Sequence, residues 1–118
     1  MTADVLRVAA GVLAIVGLWA ATAMLAKVRG IVERPEARLF FGIPNALFGV
    51  VYYALVIAAA AAGAQTLLAA AAVLSGVALA TSVYLAVVLI RQHLDCPRCW
   101  TAHAVNVLLC PLLLAAAR

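Results

Sequence analysis

The chain has 118 residues, of which 69% are hydrophobic, and carries a formal net charge of +4. Its mean hydropathy is +1.22, more apolar surface than a small soluble globule hides from water. Lipid is therefore the solvent for most side chains, and the basic residues, gathered at segment ends, read as headgroup anchors and not as a nucleic-acid stripe.

A spanning helix needs about 20 apolar residues, and four such stretches follow one another. They run from about Val8 to Ala26, Ile43 to Ala62, Thr66 to Ile90 and Trp100 to Ala117. The predicted fold class is an all-α integral membrane protein, a four-transmembrane-helix bundle, with residues 1–118 as one domain. The first stretch also resembles a signal peptide, since Ala21-Thr22-Ala23 mimics a cleavage site. Its apolar run is long for such a leader, so an uncleaved helix is expected. The Ala-rich runs at 58–64 and 69–72 read as small residues that let helix backbones approach in lipid.

Between the first two stretches, Arg34-Pro35-Glu36-Ala37-Arg38-Leu39-Phe40-Phe41 is expected to form a short interfacial helix, with Pro35 in its first turn. The second and third stretches meet at Gly63-Ala64-Gln65, a tight turn that makes them an antiparallel hairpin. With four spans, the loop after the first and the loop before the fourth share one membrane face. That face holds Lys27, Arg29, Arg34, Arg38, Arg91 and Arg98, and the other Arg7 and Arg118. The positive-inside rule would place the first group in the cytoplasm. Disulfide chemistry favours the opposite face.

The fourth stretch opens with Cys96-Pro97-Arg98-Cys99. Residues i and i+3 of a helix are neighbours, with Cβ atoms about 5–6 Å apart, close to what a disulfide requires. Pro97 suits the first helical position, so Cys96 is the expected N-cap and Cys99 lies in the first turn. Unpaired N–H groups and the helix dipole favour a thiolate there. Cys96 is expected to be the more exposed thiol and Cys99 to face the bundle. A redox pair at the water–lipid boundary could take electrons from a soluble protein and pass them to a lipid-dissolved quinone. The rival uses are two structural thiols, or a metal site with His93, Cys96, Cys99 and His103 as ligands. On one unbroken helix the outer pair of that set would stand about 15 Å apart, too far for one ion. Cys110, about three turns beyond Cys99, reads as a small buried apolar residue.

The run Cys96-Pro-Arg-Cys99-Trp-Thr101-Ala-His103-Ala104-Val105-Asn106 resembles the signature of the vitamin K epoxide reductase family. So does Pro44-Asn45-Ala46-Leu47-Phe48-Gly49, and Ser82-Val83-Tyr84-Leu85-Ala86 matches a third motif in the right order. The resemblance implies a four-helix bundle around a quinone with the cysteine pair at its mouth. It makes Cys99 the thiol that meets the quinone and Cys96 the one that exchanges disulfides with a donor. Asn45 would hydrogen-bond a quinone oxygen, and Phe48 and Tyr52, on the same helix face, would line the ring pocket. The rival role for Asn45 is to cap the second helix.

The family's animal members carry Tyr where this chain has His103, which can also donate a hydrogen bond to a quinone oxygen. The family's usual pair of shuttle cysteines in the first loop is missing, because Lys27 to Gly42 holds none. A thioredoxin-like dithiol protein would then have to reach Cys96 directly. The expected activity is quinone-dependent thiol–disulfide oxidation in the plasma or inner membrane, with ubiquinone, menaquinone or a vitamin K-like quinone as acceptor. Following the family's habit, the site would face outward. The alternatives are a vitamin K epoxide or quinone reductase, and a non-catalytic membrane subunit that uses the same residues for a metal or a partner helix.

Overall fold

The computed structural model describes residues 2–27, 44–94 and 96–118. The interfacial helix expected around residues 34–41 lies outside them. Four helices fill the described chain: α1 over Ala3–Lys27, α2 over Asn45–Ala62, α3 over Gln65–Arg91 and α4 over Pro97–Ala116. All four are long and apolar enough to cross a membrane, as the four hydrophobic runs predicted.

The helix ends follow from local chemistry. Pro44 stands at the N-cap of α2, so Asn45 is the first helical residue and does not cap the helix. Gly63 ends α2 in the left-handed region at φ 67°, and its N–H donates to the Ala59 carbonyl. Only glycine adopts that conformation without steric cost. The turn is tight, and α3 begins at Gln65. At the other end of α3, Arg91 occupies the last turn, where a cation complements the helix dipole. His93 follows with φ 53°, an uncommon backbone for a residue with a side chain.

Around the bundle the order is α2, α1, α4, α3: α1 packs closely on α2 and α4, α4 on α3, and of these neighbouring pairs α2 and α3 touch least. Small residues mark the α1–α2 seam, where Gly11 meets Ala60, Gly49 meets Ala21 and Gly17 meets the Tyr53 ring. Ala10, Ala14, Ala20 and Ala21 of α1 are buried while Val8, Val12, Ile15 and Trp19 face outward. This puts bulk toward lipid and small side chains inside, which lets backbones approach. A Cβ built on Gly17 would lie 2.5 Å from the Tyr53 ring, so the missing side chain is the space the ring occupies.

The end that holds the α2–α3 turn is tied by polar contacts. Arg7 donates from Nε and Nη2 to the Ala60 carbonyl, at 3.2 and 2.9 Å, and pairs with Asp4 at 3.2 Å. The Gln65 side-chain amide donates to the Ala117 carbonyl. The cysteine pair lies at the opposite end.

Candidate active site

Pro97 occupies the first position of α4 and Cys96 its N-cap. The Cys96 sulfur accepts a hydrogen bond from the Cys99 N–H at 3.2 Å, so the cap function falls to a disulfide sulfur. The two sulfurs form a disulfide, with Cα atoms 5.2 Å apart. Cys96 is not the exposed thiol expected; both cysteines are buried. Cys96 is 0% exposed and Cys99 7%. The cap position turns the Cys96 side chain back over the helix end, into packed surroundings that spacing along one helix could not reveal.

Successive helical residues turn by about 100°. Cys99, His103, Asn106 and Cys110 therefore form one stripe along α4. His103 lies one turn beyond Cys99. Its ring meets Trp100 edge-on, with centroids 5.8 Å apart. Both His103 ring nitrogens are buried and have no hydrogen-bond partner among the described residues. Asn106 is buried, and both ends of its side-chain amide are held by other helices. Its Oδ1 accepts from the Tyr53 hydroxyl at 2.6 Å, and its Nδ2 donates to Ser82 Oγ at 2.6 Å. The Tyr53 hydroxyl also approaches the Ala102 carbonyl at 3.3 Å. A polar clasp thus joins α2, α4 and α3 at one depth.

Where α2 and α3 part, a cavity of about 370 Å³ opens between them. Asn45, Phe48 and Tyr52 line its α2 wall, as their shared helix face predicted. Val77 and Thr81 line the α3 wall, and Tyr53 and Asn106 border it. The Tyr52 hydroxyl is buried without a hydrogen-bond partner among the described residues. The two cysteines and His103 do not line this cavity; they lie above Asn106 on the α4 stripe. The expected site residues thus form two groups, a cavity set and a disulfide set, joined along α4.

Tyr53, Asn106 and Ser82 were not among the expected site residues. The signal was available for Asn106, which sits seven residues past Cys99 on the same helix face. That Tyr53 and Ser82 would be its partners was not legible, although Ser82 heads one of the family motifs, because they lie 53 and 24 residues away in sequence. Cys110 is unpaired and half-buried. As for the metal alternative, no three His, Cys, Asp or Glu side chains gather as ligands among the described residues.

A sequence model of the vitamin K epoxide reductase family matches residues 29–114. No curated protein and no solved structure matches the chain. The family match covers α2, α3, the disulfide and nearly all of α4, the elements that build the cavity and the redox pair. Family membership also brings oxidoreductase character and suits a multi-pass membrane protein. On that match, the chain belongs to the vitamin K epoxide reductase family.

Proposed function

We propose that the protein is a membrane thiol–quinone oxidoreductase, and that residues 1–118 act as one unit. Electrons enter the Cys96–Cys99 disulfide from a thioredoxin-like dithiol protein and leave to a quinone held between α2 and α3. The single observation that carries this reading is the α4 stripe: a disulfide at its head and a polar side chain seven residues below that borders a cavity.

The residues present suit a quinone. Its ring is flat and apolar, and its two oxygens are hydrogen-bond acceptors. The cavity is walled mainly by apolar side chains, and the partnerless Tyr52 hydroxyl is a donor in want of an acceptor. Asn45 offers a second donor at the mouth. Phe48 and Tyr52 would flank the ring. A bound quinone would supply the two-electron acceptor for the dithiol.

On the protein side, a donor thiolate attacks Cys96, forming a mixed disulfide and releasing the Cys99 thiol. A second donor thiol resolves it, and the pair is left reduced. Because Cys96 is enclosed, this exchange requires the head of α4 to open toward the donor. Reoxidation re-forms the Cys96–Cys99 bond, and two electrons and two protons leave with the quinol. We take the site to face outward, where a disulfide persists.

The test is quinone reduction by the purified, dithiol-reduced protein, followed by absorbance. Turnover should vanish in Cys96→Ala and in Cys99→Ala. A folded protein with free thiols that reduces no quinone overturns the reading. A quinone epoxide offered in parallel would show whether the same cavity serves reductase chemistry. Labelling of the reduced pair in intact cells by an impermeant maleimide would test sidedness.

A further inference from the structure

We propose that His103 is the proton acceptor for the Cys99 thiol, forming a thiolate–imidazolium pair in the reduced protein. The inference rests on the redox reading above and adds a residue to its chemistry.

Three observations point there. His103 is four residues beyond Cys99, the helical spacing that puts side chains in contact range, with Cβ atoms about 5–6 Å apart. Side chains on a helix lean back over the preceding turn, and the edge-on contact of the His103 ring with Trp100 places it over that turn. Finally, both ring nitrogens are buried and lack a partner among the described residues. An imidazole so placed costs free energy unless some state of the protein satisfies it. The structure holds the oxidised state, in which Cys99 has no S–H to donate. Reduction creates that donor one turn away.

The step balances. The Cys99 S–H bond breaks and an N–H bond forms on His103, leaving a thiolate and an imidazolium. On reoxidation the Cys96–Cys99 S–S bond forms and the Cys96 S–H proton is released. The electron pair passes to the quinone, and the Cys96 and His103 protons follow it to give the quinol. Two electrons and two protons are transferred.

The other titratable groups near this stripe are few. On α4 they are Cys96, Arg98 and Cys110. On α2 they are Tyr52 and Tyr53. The titratable groups of α3, Tyr84 and Arg91, are exposed, as is His93 ahead of α4; of those on α1, Asp4 and Arg7 sit at the far end of the bundle, while Lys27 is the helix's last residue, at the cysteine end. Arg98 is the competing cation nearest to Cys99 in the chain.

The experiment uses the full chain with Cys96→Ser and Cys110→Ser, so that Cys99 is the sole thiol, reduced and without added quinone. Thiolate absorbance in the ultraviolet is read at neutral pH. The protein with His103 should show it. His103→Tyr, which keeps a hydrogen-bond donor but cannot take the proton, should lower the signal about tenfold, as loss of a neighbouring cation does, and His103→Gln should do the same. In the chain with its cysteines restored, His103→Tyr should lower kcat for quinone while leaving KM within about twofold. Equal thiolate signals in all three proteins overturn the proposal, as does a signal lost only in Arg98→Gln. A His103-dependent thiolate in a protein that reduces no quinone would uphold the pair and reject the redox reading.

Discussion

Helix α2 has two seams of opposite character. Toward α1 it is closed: Gly17 gives up its side chain so that the Tyr53 ring can lie against the α1 backbone, and alanines fill the rest. Toward α3 it is open, and Asn45, Phe48 and Tyr52 stand around a cavity. Tyr52 belongs to the open side, while Tyr53, one residue on, fills the Gly17 notch and also borders the cavity. In lipid the hydrophobic effect does not drive helices together, so a seam closes only where shapes fit or hydrogen bonds form. A seam can thus be held open by putting large side chains on it and taking the fit elsewhere.

The largest expected effect comes from closing the open seam. Ala78→Trp, on the α3 wall of the cavity, should lower kcat/KM for quinone about a hundredfold, equivalent to about 3 kcal/mol. Thermal unfolding in detergent should change little, because the new ring fills space. A variant that unfolds early while still turning over quinone would mean that the cavity is not the acceptor site. Next comes prising the closed seam apart. Gly17→Val should destabilise the protein by about 1–3 kcal/mol through overpacking against Tyr53. Much of that loss should disappear when Tyr53→Ala is combined with it, an interaction that a double-mutant cycle reads directly.

Removing the link between the seams should cost less. Tyr53→Phe keeps the ring in the Gly17 notch and deletes the hydrogen bond to Asn106. Hydrogen bonds of this kind between membrane helices are worth about 0.6 kcal/mol on average, and about 1.7 at most. A larger loss would mean that the clasp also organises the cavity floor. The smallest effect belongs to Gly11→Ala. There a new Cβ would meet Ala60 Cβ at 3.5 Å, ordinary contact, so stability should hold or rise by less than about 1 kcal/mol. A strong loss there would show the closed seam to be tight along its whole length and not only at Tyr53.

Much of this was legible in the sequence because it is local. Four apolar runs set by bilayer thickness gave four helices, with ends a few residues from those expected. The thiol pair followed from two cysteines three apart with a proline between them. Asn45, Phe48 and Tyr52 shared a wall because their spacing put them on one helix face. What spacing along one helix does not encode was missed. The burial of Cys96 depends on what surrounds the head of α4. The clasp needs Tyr53, Asn106 and Ser82 to arrive at one depth from three helices. Spacing also could not tell that His103 would stand above the cavity and not on its wall, since that depends on how far the α2–α3 opening extends along α4.

The polar ties of Arg7 and Gln65 have a consequence for movement. They fasten α1 to α2, and α3 to α4, at the end of the bundle farthest from the disulfide. The next interhelical hydrogen bonds between described residues are those of the clasp, at mid-depth. Such a bundle is shaped like a clothes-peg, with its spring at the α2–α3 turn and its jaws around Cys96. Were the α1–α2 and α3–α4 halves to splay about that turn, the displacement would be largest at the jaws, where an incoming thiol needs room. The distance between the pivot and the sulfur atoms, set by the span of the membrane itself, supplies the leverage.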